Sequence, residues 1–220
     1  MSRELFDRRL RQLIDKVLML GSMVEQAVHQ SVDALVRYDR TTANFIIMGD
    51  QIVNEKRYAI EDEAITLIAT QQPVGRDVRT LAAILEIITE LERIGDYAKG
   101  IARINLLLEE EANDGPIFGD LQTMTSQGLD MLHRSLGAFV NNDVQLALAI
   151  PREDDIVDNL YLHIYRELID QMIVNSNCID HANHLMWAAH NLERMADRVT
   201  NICERVAYVS TGSIKELDVT

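Results

Sequence analysis

The chain has 220 residues, 47% of them hydrophobic, enough to bury a core as one domain or two small ones. Its formal net charge is −14, which repels phosphate backbones and anionic lipid and argues against direct nucleic-acid binding. Three prolines, ten glycines and the lack of any Asn-Gly or Asp-Gly turn between alternating apolar residues point away from β-hairpins and toward an all-α chain. The one Asp-Gly, Asp114-Gly115, precedes Pro116 in a polar stretch. The two cysteines, Cys178 and Cys203, form no C-x-x-C and read as reduced thiols. The charged start, Met1-Ser2-Arg3-Glu4-Leu5-Phe6-Asp7-Arg8, has no apolar signal region. No run of ~18 apolar residues is present for a membrane span, so a soluble, cytoplasmic protein is expected.

Residues 3–38 read as one amphipathic helix, with Leu10, Leu13, Ile14, Val17, Leu20, Val24, Ala27, Val28 and Leu35 at spacings of three and four. A break at Tyr38-Asp39-Arg40-Thr41-Thr42 leads to a second helix from about Thr42 to Ala69, through Phe45, Ile46, Ile52, Val53, Tyr58, Ile65 and Ile68. The turn Gln71-Gln72-Pro73-Val74-Gly75 precedes a third helix from about Arg76 to Leu108. After the polar linker Glu109–Gly115 the cycle repeats, with a fourth helix over residues 117–139. A fifth runs over residues 143–174, kinked by Pro151 about one turn before Asp154. A sixth runs over residues 179–209, closed by Gly212 as a left-handed cap. The expected architecture is all-α, two tandem pseudo-symmetric three-helix bundles, with one repeat over residues 1–112 and the other over 113–220.

The repeat is visible in the residues themselves. Leu91-Glu92-Arg93-Ile94-Gly95-Asp96 returns as Leu192-Glu193-Arg194-Met195-Ala196-Asp197, and Asp50-Gln51-Ile52-Val53-Asn54 returns as Asp154-Asp155-Ile156-Val157-Asp158. The offset is 104 residues between Asp50 and Asp154 and 101 between Glu92 and Glu193; the difference is expected in the intervening turn.

At ~100° per residue, positions i and i+4 lie about 40° apart on a helix. The pairs Asp50 with Asn54, Glu92 with Asp96, Asp154 with Asp158 and Glu193 with Asp197 therefore each share a face, at the flank of the apolar stripe. Helices packed side by side would gather each bundle's two pairs. Such a cluster repels itself unless a hard cation relieves it, and all-oxygen ligation suits Mg, Mn, Ca or Fe better than Zn. The alternative is a solvated acidic face answered by the adjacent Arg93 and Arg194. His190, one turn before Glu193, has Thr89 as its first-copy counterpart and reads as a surface histidine, with His181 and His184 as polar-face residues and Trp187 in the core or at its margin. Asn201 and Glu204 lie on the side of Asp197 and are candidates to extend the second cluster. No Walker A string, dinucleotide turn, G-x-S-x-G or H-E-x-x-H is present, so a catalytic assignment has no residues to rest on.

The tandem Leu-Glu-Arg-x-x-Asp strings, the upstream Asp-x-x-Val-Asn/Asp strings, Arg76-Asp77-Val78-Arg79, Val144-Gln145-Leu146-Ala147 after Asp143, and Asp197–Glu204 together resemble the PhoU family. The resemblance extends from about Phe6 to Gly212. It implies metal ions at the carboxylate motifs, as iron, zinc, manganese or magnesium. One site would hold Asp50, Glu92 and Asp96, with Asn54 weakening it, and the other Asp154, Asp158, Glu193 and Asp197. It further implies a non-enzymatic negative regulator of phosphate uptake and phosphate-starvation signalling. Such an adaptor would link the phosphate ABC transporter ATPase to a sensor histidine kinase and reach the membrane peripherally through these partners. Helical edges of this kind suggest a homodimer. The competing classes are a carboxylate-bridged metalloenzyme, which would need paired histidine ligands between four helices, and a purely structural helical scaffold.

Overall fold

The structure, a computed structural model, describes residues 3–109 and 115–213. The helices are α1 (Arg3–Val36), α2 (Arg40–Gln71), α3 (Arg76–Leu107), α4 (Gly115–Asn141), α5 (Val144–Ala149), α6 (Asp154–Val174) and α7 (Ile179–Thr211). No strand occurs among the described residues. α1, α2 and α3 form one bundle; α4, α6 and α7, with the short α5, form the other.

Local chemistry sets the ends. Asp39 caps α2, its carboxylate accepting from the backbone N–H of Thr41 and Thr42 and from the Thr42 hydroxyl. Asp143 does the same for α5, accepting from the Leu146 N–H. α7 closes on Gly212, whose φ of 72° only glycine adopts freely.

The expected single kinked helix over residues 143–174 is instead two helices joined by a 3₁₀ turn, Ile150–Glu153. Pro151 lacks the N–H that a continuous helix would use, and Arg134 of α4 forks onto both oxygens of Glu153 to hold the turn. Asp154 consequently opens α6 rather than lying mid-helix as Asp50 does in α2.

The three-residue difference in offset does not lie in the turn either, since the α2–α3 and α6–α7 connections are equally long. α6 runs one residue less beyond Asp154 than α2 beyond Asp50, and α7 two residues less ahead of Glu193 than α3 ahead of Glu92.

The principal core is continuous across both bundles, from Leu13, Val17 and Leu20 through Ile84, Ile87 and Leu91 to Leu192, Val199 and Val206. α3 and α7 make the most extensive helix–helix contact in the molecule. They run antiparallel, as Arg79 donates to the Val209 carbonyl (3.1 Å) while Asn201 and Arg198 donate to Glu90 (3.3 and 3.5 Å). The seam has pseudo-twofold logic. By the repeat offset Asn191 stands for Glu90 and Gly100 for Asn201, and a Cβ on Gly100 would sit 3.0 Å from Asn191 Nδ2. Each contact thus has its reciprocal. Asn201, expected to extend the second carboxylate cluster, is used here instead.

α2 and α6 are the outer helices, each packed on two long neighbours. Of the apolar positions read along α2, Ile46 and Val53 are buried, but Phe45, Ile52, Tyr58 and Ile65 are exposed. Two partners cannot cover so wide a stripe.

Candidate metal centre

α2 lies on α3 and α6 lies on α7, so each outer helix brings its acidic pair to that of its neighbour. The members are not equally placed. Asp50 and Asp154, expected at the flank of the core, are buried, each 9% exposed. Glu92 and Glu193 are half-buried, and Asp96 and Asp158 are exposed.

In the first bundle burial first, then Asp96, raises the Glu92 carboxyl above its ordinary range, with Asp50 adding and Arg57 opposing. A cation of the chain's own stands among them. Lys99 Nζ lies 2.5 Å from Asp50 Oδ2 and 3.7 Å from Asp96 Oδ1. Asn54 spans back along α2, its amide 3.2 Å from Asp50 Oδ2. Arg57 donates to Thr89 and pairs with Glu61. Arg93 reaches Glu90, 3.5 Å away.

The second bundle has one acid more, Asp158 in the place of Asn54, with little to balance the four. Burial pushes the Asp154 carboxyl from its ordinary 3.8 up to about 7, helped by Asp158, Asp197, Glu193 and Asp155. The α6 N-terminus, which favours negative charge, does not overcome this. Burial also raises Asp158, reinforced by Asp197, and Glu193, reinforced by Asp197 and Asp158. Asp154 Oδ1 is buried with no hydrogen-bond partner, a costly state for a carboxylate oxygen. The nearest help is peripheral. Arg194 lies 3.3 Å from Asp197, and His190 Nδ1 lies 3.3 Å from Glu193 Oε2. His190, read from sequence as a surface residue, is half-buried between Tyr161 and Trp187, and Trp187 itself is exposed rather than in the core or at its margin.

Among the described residues no group of three or more His, Cys, Asp and Glu side chains stands close enough together to hold a metal ion as placed. Like charges facing one another without a counterion turn apart, so closure of a ligand shell would require side-chain rotation. In residue type, and with Asp154 Oδ1 buried and unpartnered, Asp154, Asp158, Glu193 and Asp197 are the side chains that would have to close on a hard cation. Bound there, the ion would neutralise the cluster and clamp α6 to α7.

Sequence reasoning missed Lys99, Arg57 and Tyr161. The repeat offsets place Lys99 opposite Thr200 and Arg57 opposite Tyr161.

The PhoU domain family model matches residues 17–104 and, a second time, residues 121–206. This chain belongs to the PhoU domain family. It is 34% identical over 220 residues to the phosphate-specific transport system accessory protein PhoU homolog of Clostridium acetobutylicum, covering 99% of this chain and 100% of that protein. To the Escherichia coli K12 accessory protein PhoU it is 34% identical over 207 residues, 94% of this chain and 86% of that one. The crystal structure of the phosphate transport system regulatory protein PhoU from Streptococcus pneumoniae superposes with a TM-score of 0.88 at 31% identity, covering 96% of this chain and 99% of that one. Fold and family agree: two pseudo-symmetric three-helix bundles, each half carrying the family pattern once.

Proposed function

We propose that this protein is the accessory regulator of a phosphate-specific transport system. The observation that carries this reading is the double family match within a chain that parallels, nearly end to end, relatives named for that role. In this reading it is a negative regulator of phosphate uptake and phosphate-starvation signalling, non-catalytic and cytoplasmic. It couples the transporter ATPase to the sensor histidine kinase, works as a homodimer and meets the membrane only through these partners. Among the described residues no helix is long and apolar enough to cross a membrane. The fold supports an adaptor, since α2 leaves Phe45, Met48 and Ile52 exposed at helical spacing, 70%, 75% and 51% accessible. A metal ion held by the carboxylate cluster would rigidify the α6–α7 pair rather than perform chemistry.

Affinity capture of the tagged full chain from phosphate-replete cells tests this. The transporter ATPase and the kinase are expected among the captured proteins, and deletion of the gene should leave the phosphate-starvation response on in high phosphate. Capture of neither, with a normal response in the deletion strain, would refute the reading.

A further inference from the structure

We infer that the two bundles have divided their dealings with cations: the first is closed by its own ammonium group, Lys99, and only the second accepts a metal ion. This rests on the metal reading above and sharpens it. In the first bundle Lys99 meets both Asp50 and Asp96, while Arg57 and Arg93, themselves paired with Glu61 and Glu90, stand near Glu92. Lys99 bridges from α3 to Asp50 of α2, the span an inter-helix ion would occupy. Asn54, neutral, already donates to Asp50 Oδ2. Asp50 Oδ2 therefore has two partners, and a divalent ion would have to displace an ammonium from it.

In the second bundle four carboxylates, Asp154, Asp158, Glu193 and Asp197, face one arginine, Arg194, which approaches Asp197, and one histidine, His190, which approaches Glu193. The positions of Lys99 and Arg57 carry Thr200 and Tyr161, neither able to supply charge. The Thr200 hydroxyl is spent on the Asp197 carbonyl, 2.7 Å away. Asp154, more than nine-tenths buried, aims an oxygen into the cluster with no partner. The duplication kept three of the acids in both halves, set Asn54 opposite Asp158, and supplied the ammonium in one. A fixed ammonium clamps α2 to α3 at all times, whereas an exchangeable ion clamps α6 to α7 only when it is available.

Titration of the metal-free full chain with MnCl2, read by calorimetry and by the Mn²⁺ electron spin resonance signal, tests the division. One ion per chain is expected. Asp154→Asn should weaken it by at least about tenfold, while Asp50→Asn leaves it unchanged. Lys99→Thr should raise the count to two, and Thr200→Lys should lower it to zero while raising the melting temperature of the metal-free protein. Circular dichroism checks that each variant keeps its helices; should Lys99→Thr fail to fold, the wild-type count and the Asp154→Asn and Thr200→Lys results still decide. Two ions in the wild type, or one ion indifferent to Asp154→Asn, would overturn the division and leave metal binding standing. No ion in any variant would overturn both.

Discussion

Asp154 keeps one carboxylate oxygen buried without a hydrogen bond while four acidic neighbours crowd it. The consequence for stability follows from proton linkage. Its folded-state pKa of about 7 lies above the ordinary 3.8, so between these values the native protein holds a proton that the unfolded chain has released. Metal-free protein is therefore expected to lose stability as pH rises through that window, with Glu92, Asp158 and Glu193 adding in the same sense. Asp39 and Glu153, held below their ordinary values by the Thr42 hydroxyl and by Arg134, act oppositely. Their contribution is lost as pH falls through the acid range. Urea unfolding of chelator-treated protein at pH 5 and pH 8 should show the lower midpoint at pH 8. Asp154→Asn should reduce that gap and raise the pH 8 melting point by roughly 2–4 °C, the shift on the order of 1 kcal/mol gives at this size. Metal affinity, which needs the deprotonated acid, should climb with pH over the same interval. At this scale the sequence was legible where residues repeat and silent where they differ. The i, i+4 acids announced themselves twice. Lys99 lies outside both quoted strings, and its role depends on a contact with Asp50 across two helices, which no spacing within one helix encodes.

Helix boundaries followed from side chains that replace missing backbone partners. Asp143 holds the α5 start through the Leu146 N–H. Asp143→Ala should cost about 1 kcal/mol, measured as a lower urea midpoint with unchanged slope. The helices themselves were readable because apolar residues recur at helical spacing, and Gly212 was readable as a cap because its backbone conformation excludes most side chains. Two local features were not. Pro151 announced a disturbance, but a full break needed Glu153 and its partner Arg134, nineteen residues upstream of it on another helix. The wide apolar stripe of α2 read as core because periodicity records only which residues share a face. Whether a neighbour covers that face is decided by packing, and α2 has one long helix on either side and none outside.

Across the whole molecule the two bundles share one core and one extensive seam between α3 and α7. A second link joins α1 to α4, where a Cβ on Gly21 would run into the Leu136 side chain. These contacts predict a single cooperative unfolding transition for the metal-free chain, with calorimetric and van't Hoff enthalpies in agreement. Gly21→Val should lower that transition by roughly 1–3 kcal/mol through overpacking and shift it intact. Two resolved transitions, with only one moved, would mean the halves are energetically independent. The duplication was legible from recurring strings, but how the copies meet was not, because the seam is written in residues that differ between them: Glu90 against Asn191, and Gly100 against Asn201.

That reciprocity carries a historical implication. A chain of half this length, bearing one copy of each string, would have built the same junction with its twin, and every residue on one side would have reappeared on the other. Joining the twins end to end removed that obligation. A charged partner on one side and a neutral one opposite became permissible, as did a lysine in one acid nest and a threonine in the other. The asymmetry of the present molecule is what fusion of a symmetric pair makes possible.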